Sequence, residues 1–217
     1  MWEQRVDLAG SLGGQALEDV LEIGVAAYLL AALMLAALVA RNRAAGRIVG
    51  AGLAVMWLWT GIAYHWLHFV DINAAAWLFG ALFVVQTLLM VHAAVVRDRL
   101  AFAPGGGTRA WLGWLLVAYA VVLYPLIGMA TGDAYPAMPM FGITPCPVVV
   151  FTFGLFLLAR DPIPRRLLVM PVVWSLIGGS AALLLRMPQD WVLLLSGFAV
   201  VPICRIGRAA DHCARQS

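Results

Sequence analysis

Seven apolar runs, at 23–40, 48–70, 74–96, 111–131, 141–159, 167–185 and 190–204, occupy most of this chain and leave no connection long enough to fold alone in water. A helix needs about 20 mainly apolar residues to cross the hydrocarbon core of a bilayer. The runs therefore predict an all-α polytopic transmembrane helical bundle of about seven spans, the last one short. Composition agrees: 64% of residues are hydrophobic and 12% are charged, where a soluble domain carries roughly 25% charge. The predicted organisation is an extracytoplasmic segment at 1–21, one transmembrane domain at 22–204 and a cytoplasmic tail at 205–217. Met1 to Leu21 holds Glu3, Arg5, Asp7, Glu18 and Asp19. That is neither the basic start nor the small-residue cleavage site of a signal peptide, and a retained surface helix is expected there.

Orientation follows from the arginines, which mark cytoplasmic loops. Arg41, Arg43 and Arg47 follow the first run, Arg97, Arg99 and Arg109 the third, Arg160, Arg165 and Arg166 the fifth, and Arg205, Arg208 and Arg215 the seventh. Only Arg5 and Arg186 fall on the other side. The N-terminus is expected outside and the C-terminus inside, in a bacterial cytoplasmic (inner) membrane, multi-pass. This topology accounts for the pI near 9.0 and gives no reason to expect nucleic acid as a partner. The expected partners are the lipid bilayer and other membrane subunits. Trp66, Trp77, Tyr135 and Trp191 near predicted outer boundaries, and Trp111 and Trp114 near an inner one, suit interfacial anchoring.

The chain contains no Lys. That removes a retinal Schiff base, amine-based covalent catalysis and the lysine of a phosphate-binding loop. No Asp, Glu or Arg falls near the middle of a predicted span, which disfavours a carboxylate-based ion pump. An enzyme is not expected, since no Ser, His and carboxylate set shares a depth and no metalloprotease motif occurs. Pro125, Pro171 and Pro202 interrupt predicted spans, and Gln86 sits mid-span, where it can hydrogen-bond across helices.

Two clusters could carry chemistry. His65 and His68 lie in Tyr64-His65-Trp66-Leu67-His68-Phe69, and on an α-helix Gly61, His65 and His68 share a face. Asp71 could accept a ring N–H there, as in metal sites. Alternatively, the rings hydrogen-bond to water or neighbouring carbonyls and Asp71 caps the turn. The second cluster is Phe141-Gly142-Ile143-Thr144-Pro145-Cys146-Pro147. Two prolines flanking a cysteine remove two N–H donors and hinder regular helix, leaving carbonyls free beside a thiol. The alternative is a proline-shaped start to the span, with Cys146 as a small buried residue.

Both clusters fall in the outer half, so His65, His68 and Cys146 are candidate metal ligands, with Met129, Met138 and Met140 as neighbours. Tyr64, Asn73, Thr144 and Asp71 would line the pocket. Imidazole with soft sulfur suits a soft metal ion such as copper or zinc. No haem or retinal is expected, since His92 lies far in depth from His65. Cys204, His212 and Cys213 lack zinc-motif spacing.

Ala63-Tyr64-His65-Trp66 through Ile72-Asn73, then Phe141-Gly142-Ile143-Thr144-Pro145-Cys146-Pro147 and Phe151-Thr152-Phe153-Gly154, together resemble a bacterial family of multi-pass membrane proteins known only as a domain of unknown function. The resemblance covers roughly residues 20 to 204. It implies a compact inner-membrane bundle and marks Tyr64, His65, Asn73, Thr144 and Cys146 as shared features. Two functions are consistent with these readings. One is binding or transport of a soft metal ion or small solute through an outer-leaflet pocket. The other is a non-catalytic subunit or assembly factor of a larger membrane complex.

Overall fold

The computed structural model describes residues 2–40, 44–102, 105–131, 140–185 and 187–214, with side chains from Leu21 to Ile203 except Ala181, Leu185 and Val201 within those stretches. Every regular element among them is helical. Helix α1 is Trp2–Val39, and α2, Ala45–Trp59, runs on as a π-helix, Thr60–His68, and a 3-10 turn, Phe69–Asp71. Helix α3, Ala76–Val91, ends in a π-turn, His92–Val96. Helix α4, Thr108–Ala118, passes through a π-segment, Tyr119–Leu123, into α5, Tyr124–Ala130. Then come α6, Pro145–Leu157, α7, Arg165–Leu185, a 3-10 turn, Pro188–Asp190, and α8, Trp191–Ala214.

Among the described residues five stretches are long and apolar enough to cross a membrane: Leu21–Val39, Ala45–Asp71, Ala76–Val96, Thr108–Ala130 and Arg165–Leu184. They coincide with five of the predicted runs. Their outward faces are apolar, as a lipid-facing surface requires. On α1 the buried stripe is Gly24, Ala27, Ala31, Met34 and Leu38, while Leu21, Val25, Leu29 and Leu33 lie exposed on the opposite face. The chain is a multi-pass helical membrane protein that contacts the bilayer.

The fifth predicted run is shorter than expected. Helix α6 has 13 residues, roughly 20 Å at 1.5 Å per residue, less than the ~30 Å hydrocarbon core. It lies at the centre of the bundle, packed by α2, α4, α7 and α8, and every residue from Pro147 to Leu157 is buried. A helix that is apolar all round belongs in a core. Its C-terminal end also receives a guanidinium: Arg109 Nη2 donates to Phe156 O at 3.4 Å and, just beyond the helix, to Ala159 O at 3.1 Å. Close approach to α4 depends on two glycines. A Cβ at Gly154 would lie 2.8 Å from Gly113 O, and one at Gly113 would lie 2.9 Å from Gly154 O.

Two prolines inside spans free a carbonyl four residues back, and in each case a side chain from another helix claims it. Pro125 leaves Val121 O, which accepts Tyr28 Oη–H at 2.9 Å. Pro171 leaves Leu167 O, which accepts the Gln86 amide at 2.9 Å. Gln86 thus joins α3 to α7. Trp57 Nε1 donates to Thr152 Oγ1 at 3.0 Å, linking α2 to α6.

Helix alternation gathers Arg47, Arg97, Arg99, Arg109, Arg160, Arg165 and Arg166 at one end of the bundle. There Arg47 pairs with Asp98 at 3.2 Å, and Arg160 N–H donates to Ala101 O at 2.8 Å. The segments at 69–75, 140–146 and 187–191 form the opposite end.

Candidate functional site

At that opposite end a cavity of about 300 Å³ opens between six parts of the chain. Tyr64 and Phe69 reach it from the π-helix and the turn after α2, Asn73 and Phe79 from the start of α3, and Tyr124 from α5. Thr144, Pro145 and Cys146 enter from the start of α6, Trp174, Ile177 and Gly178 from α7, and Met187 and Asp190 from the turn before α8. Four residues singled out from the sequence, Tyr64, Asn73, Thr144 and Cys146, therefore line one space. The fifth seat is Asp190, which sequence reasoning missed. Asp71 does not line the cavity and is exposed.

The Thr-Pro-Cys-Pro element starts a helix; it does not break one. Thr144 is extended, with φ −95° and ψ 151°, and Pro145 opens α6. The first four N–H groups of any helix lack an intrahelical acceptor. Placing Pro145 and Pro147 among those four positions deletes two donors that would be costly to bury. Before them Gly142 sits at φ +79°, where a Cβ would collide with Ala27 of α1. Phe141 packs against Tyr28 and Phe151 with ring centroids 5.4 and 5.1 Å apart. The motif builds a buried helix start and leaves the Cys146 thiol on the cavity wall.

The two histidines part company. His65 is fully buried and His68 is exposed, so the shared face expected of an α-helix is lost. The cause is the π-winding of Thr60–His68, whose i→i+5 bonding changes which positions align. Each ring uses the local pattern: His65 Nδ1 lies 2.8 Å from Thr60 O, and His68 Nδ1 lies 2.7 Å from Ala63 O. The backbone thus takes the role foreseen for Asp71. His65 Nε2 is buried without a partner, against the rings of Phe83 at 4.6 Å and Trp174 at 5.0 Å. Among the described residues no three His, Cys, Asp or Glu side chains gather as a metal-ligand set. Met129 is 52% exposed, and Met187 is the methionine on the cavity wall. Tyr135 and Met138 lie outside the described residues, as do the side chains of Cys204, His212 and Cys213.

Asp190 occupies the position before α8 where a carboxylate commonly caps the helix. Instead its Oδ1 accepts Tyr124 Oη–H at 2.6 Å. Tyr119 Oη–H donates to Gln189 O at 2.9 Å, so the tyrosines at either side of the π-segment clamp the turn together. Burial raises the Asp190 carboxyl above the ordinary carboxylate range, opposed by the hydrogen bonds of Tyr124 and Cys146. Gly178 makes room beside it: a Cβ there would stand 3.1 Å from Trp174 Nε1 and 3.5 Å from Cys146 Sγ. The sequence signal for Asp190 was present in Pro188-Gln189-Asp190-Trp191, an acid at a helix start, but its burial comes from packing that this local pattern does not encode.

A family model described as "Family of unknown function (DUF6064)" matches residues 18–212. The chain belongs to that family. The match takes in α2 to α7 entire and so every wall of the cavity, together with most of α8. No curated protein and no solved structure matches the chain.

Proposed function

We propose that this DUF6064 protein binds a small solute in the cavity at the end of its bundle away from the arginines, and handles or transports it across a bacterial inner membrane. Seven spans, with the N-terminus outside and the C-terminus inside, would open the cavity to the outer side. The arginine distribution supports that orientation. The observation that carries the reading is the convergence of Tyr64, Asn73, Thr144 and Cys146, from separate segments, with the buried Asp190 on one cavity. Its volume of about 300 Å³ is at the lower end of the roughly 300–1,000 Å³ usual for ligand pockets. A soft metal would find Cys146, Asp190 and the Met187 thioether on the cavity wall, while His65 and His68, foreseen as ligands, do not line it.

The test is reaction of Cys146 with a small membrane-impermeant methanethiosulfonate, in a Cys204→Ser, Cys213→Ser background, in right-side-out vesicles. The reading expects modification from outside, lost in Cys146→Ser. A Cys146 that only a membrane-permeant reagent reaches overturns the orientation. One that neither reagent reaches overturns the pocket. Elemental analysis of the purified protein tests the metal version: near-stoichiometric copper or zinc lost in Cys146→Ser would replace the solute with a metal.

A further inference from the structure

We infer that the solute is a small organic cation, an ammonium group held by the Asp190 carboxylate and walled by aromatic rings. The inference rests on the binding reading above and names the chemistry of its ligand. Among the described residues Asp190 is the one buried acid, 3% exposed. Among the described residues its hydroxyl partner is Tyr124, with the Cys146 thiol beside it, neither of them cationic. The described ion pair, Arg47 with Asp98, is at the other end of the bundle. A carboxylate removed from water without a counter-charge is costly, and an ammonium ligand supplies one.

The walls fit the same chemistry. Tyr64 and Phe69 are stacked, centroids 5.6 Å apart at 17°, and Phe79 meets Trp174 edge to face at 5.5 Å and 84°. Tyr124, whose hydroxyl holds the carboxylate, brings a further ring. Aromatic faces attract cations through their quadrupole, and most strongly where water is excluded, the arrangement that recognises quaternary ammonium groups. An anion would meet the Asp190 charge, and a neutral apolar solute would leave it unpaired. Arg186, four residues before Asp190, lies outside the described residues and is included in the test.

The ammonium group could belong to a free solute or to a choline or ethanolamine lipid headgroup. Full-length protein in phosphatidylglycerol nanodiscs would be titrated with choline and with 3,3-dimethylbutan-1-ol, its neutral isostere, read by tryptophan fluorescence and calorimetry. Choline should bind at least about tenfold tighter than the isostere, and Asp190→Asn, which keeps an acceptor for Tyr124, should remove that preference. Tyr64→Leu and Phe79→Leu should each weaken choline roughly three- to tenfold. Loss of the preference in Asp190→Asn with an unchanged melting temperature separates recognition from folding.

Equal binding of choline and isostere, unaffected by Asp190→Asn, overturns the cationic ligand and leaves the pocket intact. Binding of neither, with Cys146 still open to thiol reagents, also overturns it. Failure of thiol access as well removes the pocket itself. Tenfold tighter choline binding in Arg186→Gln would assign the carboxylate to Arg186 and overturn the proposal. Repeating the titration in phosphatidylcholine nanodiscs identifies the source: competition by the bilayer points to a lipid headgroup, and unchanged affinity to a free cation.

Discussion

Gln86 and Pro171 offer a sharp test of the packing, because the sequence places them on different helices and a single carbonyl unites them. Gln86 Nε2 donates to Leu167 O at 2.9 Å, the oxygen that a residue 171 N–H would otherwise engage. Replacing Gln86 by Met keeps length and volume and strands that carbonyl in an apolar interior. A buried unpaired group costs about 1–3 kcal/mol, and hydrogen bonds between membrane helices average about 0.6 kcal/mol with a maximum near 1.7. Gln86 Oε1 is itself buried and unpartnered, so its removal returns part of the loss. The expected destabilisation is about 0.5–1.5 kcal/mol.

In a Pro171→Ala background the helix regains an N–H for Leu167 O, and Gln86→Met should then cost close to nothing. The double-mutant cycle therefore predicts a coupling of about 0.5–1.5 kcal/mol. Equilibrium unfolding in mixed detergent micelles, followed by tryptophan fluorescence, measures it. Equal losses in both backgrounds would refute the reasoning, since Gln86 would then act independently of the proline.

Tyr28→Phe should destabilise by about 0.5–1.5 kcal/mol by stranding Val121 O, and by much less with Pro125→Ala; equal costs would break the parallel with Gln86. Gly154→Ala places a Cβ 2.8 Å from Gly113 O and should cost about 1–3 kcal/mol in the same unfolding assay. Gly105→Ala, which meets nothing within 4 Å, should be silent. Choline, whose charge does not titrate, should bind more weakly as pH falls through the raised Asp190 range, about tenfold per unit below it, because the proton competes for the same carboxylate. The groups facing Asp190 are Tyr64, Tyr119, Tyr124 and Cys146, and their ordinary ranges lie above that window. A flat profile from pH 4 to 8, checked by calorimetry, would exclude Asp190 as the counter-charge.

The apolar runs were legible because helix length and composition answer directly to the bilayer. What they could not show was depth in the bundle: α6 looks like an ordinary span, yet its all-round apolarity belongs to a short buried helix. Tyr64, Asn73, Thr144 and Cys146 were recognisable from local sequence, and their meeting depended on helix adjacency, which periodicity does not encode. The separation of His65 from His68 came from a π-helix that no residue in Thr60–His68 announces. Tyr124 and Trp174 resembled any membrane aromatic. Asp190 was hidden by its place at a run boundary, where an acid ordinarily meets water.

The most direct measurement of the central claim is the alkylation rate of Cys146, in the Cys204→Ser, Cys213→Ser protein, with and without saturating choline. Because the thiol stands beside Asp190 on the cavity wall, an occupied cavity should slow the reaction at least about tenfold, and Asp190→Asn should abolish the protection. An alkylation rate indifferent to choline, at concentrations that saturate its fluorescence signal, would place binding elsewhere on the protein.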